Sequence, residues 1–479
     1  MNYRMTGYLL GIIMLIEAAL MILPLTVAII YGESIFPFLI TIAILLVISL
    51  PLAIFKPKNS RIFAKEGFVT VAAGWILLSA FGALPFVISE AIPNYIDAFF
   101  ETVSGFTTTG ASILTEIESL PKGILFWRSL THWIGGMGVL VIILAILPSS
   151  GGQTIHLMRA EVPGPTKGKL VPKMKHTALI LYGIYFVLTI IQIIVLLLCR
   201  MPIYDAVVTS FATAGTGGFS VLNNSIAGYN NPAAEWVIAI FMFIFGVNFN
   251  LYFFILIGKI KDVIKSEEFR AYAILCVTAV TVIAINTAYS FERLGDCIRA
   301  SFFQVTTIMS TTGFATVNYD NWPELSKAIL VLLMIVGACA GSTAGGLKVS
   351  RILILFKSMI REIRHMLRPN SVNVIRLDGE PISDETSHSA TSYLSIYVTL
   401  VALSVLAISV DGFSLETNLT ATLACINNIG PGLAAVGPAG NFSGYSYFSK
   451  IVLSLAMLIG RLEIMPMMIL FSPMTWKKR

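Results

Sequence analysis

Charge is what this 479-residue chain lacks most: Asp, Glu, Lys and Arg together make only 12% of it, about half the share of an ordinary soluble domain. With 56% of its residues hydrophobic, it reads neither as a soluble enzyme nor as a disordered segment. Cysteine is also scarce. Cys199, Cys276, Cys297, Cys339 and Cys425 stand far apart in mostly apolar stretches, which excludes a disulfide framework or a paired-cysteine metal site. They read as buried small hydrophobes. No Gly-x-Gly-x-x-Gly after a strand and no Gly-Lys-Ser/Thr P-loop occurs, so no nucleotide site or other cofactor is expected in this chain. No apolar run carries Arg or Lys at every third position, so a voltage sensor is not expected. Without a nucleophile–base or metal constellation, the chain is not expected to be an enzyme.

What it has instead is long apolar runs. Ten of them, 6–30, 35–54, 68–88, 124–147, 178–198, 236–257, 271–288, 329–354, 393–410 and 451–471, approach the roughly 20 residues that span a bilayer. The first has no small-residue cleavage site before a polar start, and another run follows almost at once, so it reads as a retained helix. Placing both termini in the cytoplasm puts most of the 32 Lys and Arg residues inside, as membrane insertion favours. Dense clusters then fall at Lys56–Lys65, Arg159–Lys175, Lys259–Arg270, Lys348–Arg376 and Lys477–Arg479. The opposite face holds more acidic than basic residues, among them Glu33, Glu90, Asp97, Glu101, Asp205, Asp320 and Asp411. A negative entry face would concentrate cations, although loops poor in Lys and Arg explain the same bias.

After the first two runs, four span pairs each enclose a short amphipathic stretch that ends in glycine: 97–110, 204–217, 297–313 and 416–430. All are too short to cross a membrane. Their ends read Thr108-Thr109-Gly110, Gly215-Thr216-Gly217, Thr311-Thr312-Gly313 and Asn428-Ile429-Gly430, with successive glycines about a hundred residues apart. The repeat unit is therefore outer helix, half helix, extended turn, inner helix, and four units can close around one axis. Irregular backbone at membrane depth survives only where protein or a water-filled path satisfies it. Rings of backbone carbonyls there can replace the hydration shell of a monovalent cation, and the negative C-terminal ends of half helices favour a cation on the axis. Close helix packing by Gly, Ser, Thr and Ala explains any one such segment equally well, but explains four in register poorly.

The strings Phe106 to Ala111, Gly215 to Ser220, Ser310 to Phe314 and Asn427 to Leu433 together resemble the Trk/Ktr/HKT superfamily of potassium transporters. Two extra N-terminal runs and the length look more like its TrkH branch than its shorter KtrB branch. The resemblance covers essentially the whole chain. It implies that Gly110, Gly217, Gly313 and Gly430, with the residues before them, form a K+-binding selectivity filter, the only metal site expected. It also implies that potassium or rubidium is preferred to sodium. The fourth segment departs most, with Asn428-Ile429 where the first and third have Thr-Thr, so strict fourfold symmetry of the ion site is not implied.

Residues 326–366 are nearly unbroken helix formers, about 60 Å of straight helix and twice the hydrocarbon thickness. Gly341-Ser342-Thr343-Ala344-Gly345-Gly346 sits mid-run. Glycines at 337, 341 and 345 match a small-residue packing face, but the Gly345-Gly346 pair beside Ser-Thr favours a break. The resemblance implies an intramembrane gating loop at Gly341–Gly346, with Lys348 just cytoplasmic of it. Arg461 is isolated in an apolar run, with Glu463 two residues on. Its burial costs from about 3 kcal/mol upward, so it should face a pore or a carboxylate. By resemblance, Arg461 of Gly460–Glu463 lies below the filter and opposes cations, with Glu463 holding it. Glu17 is similarly isolated, with no assigned role. The string Trp127–Trp133, with His132, resembles an outer-pore scaffold and has no second ligand at metal spacing.

The basic run Arg361, Arg364, His365 and Arg368 is either positive-inside anchoring or a docking face for a soluble regulator. By resemblance, the partners are a second copy of the chain and a ring of TrkA-type subunits that bind ATP, ADP or NAD. The reading is an all-α polytopic membrane protein of ten transmembrane helices: two peripheral ones (1–66) and four pore repeats (67–152, 153–264, 265–376, 377–479) around a pseudo-fourfold pore. It resides in the prokaryotic cytoplasmic membrane and conducts potassium inward. The alternative is a potassium symporter coupled to protons or sodium by alternating access.

Overall fold

The computed structural model describes residues 2–55, 57, 63–138, 174–370 and 373–476. The basic segment at Arg159–Lys173, the repeat boundary at 152–153 and the end of the 124–147 run lie outside the described residues. Among the described residues the architecture is all-α, apart from a short antiparallel pairing of Arg376–Leu377 with Glu380–Pro381.

Among the described residues, six helices are long and apolar enough to cross a membrane: Tyr3–Tyr31, Phe36–Ile54, Lys65–Ile88, Ala178–Leu198, Glu267–Ser290 and Asp384–Asp411. A seventh is gained if Pro232–Phe245 and Phe249–Leu256, bent by 92°, count as one span. Apolar side chains such as Ile30, Val47, Ile285 and Leu406 stand exposed on these helices, which water would penalise and lipid would not.

Among the described residues, the 236–257, 329–354 and 451–471 runs are each interrupted by three or more non-helical residues before a second helix begins, and each break has a local cause. The 236–257 run bends where Gly246 ends one helix and the Asn248 side chain caps the next by accepting from Asn250 N at 3.0 Å. The 329–354 run divides into Glu324–Val336 and Val349–Leu367, because Gly337 and Lys348 at the two ends adopt positive φ. The 451–471 run stops after Tyr447–Arg461, where Glu463 and Ile464 are both left-handed, and restarts with Pro466 near the head of Met465–Phe471. Positive φ is costly for a β-branched residue such as Ile464, so tertiary contacts must hold that break.

Between the long helices lie four short, largely buried ones, Tyr95–Phe106, Ile203–Gly215, Leu294–Met309 and Leu415–Ile426. Each has a carboxylate in its first turn: Asp97, Asp205, Asp296 and Glu416 respectively. A negative charge there offsets the positive end of the helix dipole and leaves the negative end directed at the turn that follows.

Candidate ion pathway

The four short helices end in the same turn. The first residue past each helix end or close to it, Thr108, Thr216, Thr311 or Asn428, is left-handed, with φ of 56°, 57°, 58° and 55°. The next N–H reaches back five residues: Thr109 to Ser104 O, Gly217 to Ala212 O and Thr312 to Thr307 O at 2.8 Å, and Ile429 to Ala424 O at 2.9 Å. A left-handed glycine follows, Gly110, Gly218, Gly313 or Gly430. Asn428 keeps this backbone despite its different side chain, because Asn tolerates the left-handed region.

That register corrects one expectation. Gly218, not Gly217, is the counterpart of Gly110, Gly313 and Gly430; Gly217 stands level with Thr109, Thr312 and Ile429. The string Gly215-Thr216-Gly217-Gly218 offers two glycines to match, and only the backbone conformation separates them. Gly217 lacks a side chain for another reason: a methyl there would meet the imidazole of His132.

The glycines also show how the turns close on one another. A β-carbon on Gly110 would strike the Gly217 carbonyl, one on Gly218 the Thr312 carbonyl and one on Gly313 the Ile429 carbonyl. One on Gly430 would lie 2.9 Å from Thr109 O. The sequence of contacts returns to its start, so the carbonyls of Thr109, Gly217, Thr312 and Ile429 form a ring, each against the next segment's glycine. All four glycines line one cavity of about 150 Å³, bounded on its other sides by the extended segments that follow them.

Side chains lock this ring from behind. His132 Nδ1 lies 2.7 Å from Gly105 O, and its Nε2 accepts from Phe219 N at 3.2 Å, which joins the first two turns. Asn428 Nδ2 donates to Thr109 Oγ1 at 2.9 Å and to Met457 O at 3.0 Å, which joins the fourth to the first. Buried Arg128 pairs with Glu101 at 2.7 Å and donates to Ser220 O at 2.9 Å, with its guanidinium 3.5 Å from the Phe219 ring centre. Glu101 in turn accepts from Ser112 Oγ and Ile113 N, both at 2.9 Å. The Trp127–Trp133 string thus braces the ring from behind.

The break in the 329–354 run folds under this ring. Gly345 N donates to Thr311 Oγ1 at 2.7 Å, and a methyl on Gly345 would meet the Asn427 carbonyl. The loop seats in the bend of the 236–257 run through Cys339 N to Gly246 O at 3.1 Å, Phe249 N to Gly341 O at 3.0 Å and Thr343 Oγ1 to Phe245 O at 3.3 Å. Ser342, Ala344 and Gly346 complete the segment. Lys348, which follows the loop, is buried, with its ammonium donating to the Ala344 carbonyl. Its positive φ turns the chain back so that the side chain lies along the loop.

Arg461 reaches the loop from the last long run. Its guanidinium donates to Thr343 O at 2.7 Å and to the carbonyls of Gly135 and Gly136 at 2.5 and 2.8 Å, so it bridges the loop to the end of the helix Lys122–Gly136. Glu463 was expected to hold Arg461, but its carboxylate pairs with Arg351 at 2.6 and 3.2 Å, and Arg351 also lies over the Tyr393 ring. Gly218, Asn248, Glu268 and Arg351 were not singled out in the sequence; only the doubled glycine at 217–218 carried a signal.

Four short helices converging on a ring of backbone carbonyls, within a bundle of long apolar helices, define a polytopic membrane protein of the pore-loop class. Residues 34–478 match the family model TrkH, described as a cation transport protein. The chain belongs to this TrkH family. It is 37% identical over 494 residues to the Trk system potassium uptake protein TrkH of Escherichia coli (strain K12), and 36% identical over 492 residues to that of Salmonella typhimurium, with 100% of each chain covered in both cases. It is also similar to the crystal structure of the potassium transporter TrkH from Vibrio parahaemolyticus, with TM-score 0.89, 31% identity and 100% of both chains covered.

Proposed function

We propose that the chain takes up potassium across the cytoplasmic membrane of a prokaryotic cell through a K+-selective, Rb+-permeant gated pore. One observation carries this reading: the closed ring in which the carbonyls of Thr109, Gly217, Thr312 and Ile429 meet Gly110, Gly218, Gly313 and Gly430. A potassium ion entering the ring exchanges water for carbonyl oxygens, and several such sites in series let it bind and leave. The C-terminal ends of the four short helices add negative potential along the same axis. Rigidity comes from His132, Asn428 and the Arg128–Glu101 pair. The names of the relatives support potassium as the transported ion.

Below the ring, residues 341–346 and the Arg461 guanidinium act together as the gate. A fixed positive charge opposes a cation in a low-dielectric path, and the Arg461–Thr343 bond makes charge and loop one obstruction. Opening then requires the loop to leave the Gly246–Asn248 bend. Ten spans, four pore repeats and cytoplasmic termini complete this reading, with a second copy of the chain and a TrkA-like nucleotide-binding subunit as partners.

The test is uptake of radioactive rubidium by purified protein in liposomes preloaded with potassium, repeated with sodium and with the pH gradient collapsed. Uptake driven by potassium alone is expected. A requirement for a proton or sodium gradient would replace the pore by the coupled symporter, which no observation here favours.

A further inference from the structure

We propose that Glu268 is the latch that holds the loop between Gly337 and Lys348 closed, a positioning role that rests on reading this loop as the gate. Glu268 lies in the first turn of the helix Glu267–Thr287 and is 8% exposed. A single carboxylate oxygen, Oε1, accepts from Ala340 N at 2.7 Å and from Ser350 N at 3.1 Å. Ala340 immediately precedes the gating segment and Ser350 is the second residue of the helix beyond it, Val349–Leu367. One atom therefore staples the entry of the loop to its exit.

The chemistry suits a latch. Ser350 N is one of the donors that a helix start leaves without an intrahelical partner, and a carboxylate there also meets the positive end of the helix. Ala340 N belongs to irregular backbone and has no ladder to join. Freeing the loop strips both N–H groups from a buried carboxylate, which costs more than losing a hydrogen bond between neutral groups.

The helix start that carries the latch is itself anchored. Glu267 N donates to Asp378 Oδ1 at 2.7 Å, and the Glu267 carboxylate accepts from Asp378 N at 3.1 Å and pairs with Lys357. Asp378 lies in the turn between Arg376–Leu377 and Glu380–Pro381. Adjacent residues thus hold the hairpin and the gate loop, so the latch has a fixed support on the hairpin side.

The experiment uses the full chain in liposomes, reading rubidium flux and the rate at which Cys339 reacts with a methanethiosulfonate reagent. Cys339 is buried in the loop and serves as the reporter in a background where the other four cysteines are Ser. Glu268→Ala is expected to raise flux roughly tenfold, the effect of losing charge-assisted hydrogen bonds. Cys339 should become reactive while potassium-over-sodium preference stays unchanged. Glu268→Gln keeps an acceptor oxygen without the charge, so it should fall between Ala and the native residue. Deleting Gly341–Gly346 should raise flux by itself, and Glu268→Ala should add nothing to it.

A folded Glu268→Ala protein with native flux and unreactive Cys339, beside a deletion that does raise flux, overturns the latch and leaves the gate standing. A deletion that does not raise flux overturns the gate reading, and the latch with it. Should Glu268→Ala fail to fold, Glu268→Gln carries the same two readouts, and native values in it overturn the latch.

Discussion

The ring and the loop beneath it are both irregular backbone inside a helical membrane protein, yet the first is a repeated element and the second a single one. The ring is one turn made four times, each with a left-handed residue, an N–H reaching back five positions and a left-handed glycine. The loop occurs once, and it is secured both by backbone bonds to the bend at Gly246–Phe249 and by side chains from elsewhere, Thr311, Glu268 and Arg461, with Asn248 packed against Gly341. An ion that sheds its water needs oxygens from every side, which repetition supplies. Blocking a single-file path needs only one segment. A segment that occurs once and is held to its neighbours by a few bonds can be released while a turn repeated four times and braced on several sides stays intact.

The sharpest way to break this comparison is at the ring. Gly218→Ala puts a methyl against the Thr312 carbonyl at a φ of 74°, a conformation that costs a non-glycine residue roughly 1–2 kcal/mol before any clash. Rubidium flux is expected to fall by about tenfold or more. Near-native flux would show that Gly218 is not part of the ring. Gly110→Ser meets the same crowding against the Gly217 carbonyl and should weaken discrimination against sodium, measured by competition of sodium with rubidium uptake. Unchanged competition would remove Gly110 from the selective site.

Changes at the loop should act in the other direction. Arg461→Ala removes the charge and three bonds to carbonyls, and flux should rise several-fold while ion preference holds; a folded variant with no gain counts against the charge as part of the gate. The smallest effect is expected at the bond from Gly345 N to Thr311 Oγ1, which joins the two regions. Thr311→Val keeps shape but loses the acceptor for Gly345 N, a change of about 0.5–1.5 kcal/mol. A twofold to tenfold rise in flux follows from that range, and a loss of selectivity instead would mean that ring and loop are not separable.

Much of this was legible in the chain. The four glycine-ended stretches, the break around Gly341–Gly346 and the isolated Arg461 stand out because apolar helices make any small, polar or charged interruption conspicuous. The register at Gly215–Gly218 was not legible, since two adjacent glycines satisfy the same pattern and only φ at Thr216 and Gly218 tells them apart. Glu463 illustrates a different limit. Two residues from Arg461, it looked like its partner, but its carboxylate pairs with Arg351, more than a hundred positions away in sequence, at a break where Glu463 and Ile464 both have positive φ.

Composition and hydropathy by themselves determined that this is a helical membrane protein with four short interruptions between long runs, because lipid admits only segments that satisfy their own backbone. Tertiary structure alone decided that those interruptions close into a ring, that Gly218 completes it, and that Lys348 and Glu268 turn inward to the loop. Those outcomes depend on contacts between residues far apart in the chain. Local spacing does not encode them, because a buried donor or carboxylate goes to whichever partner the packed helices bring within reach.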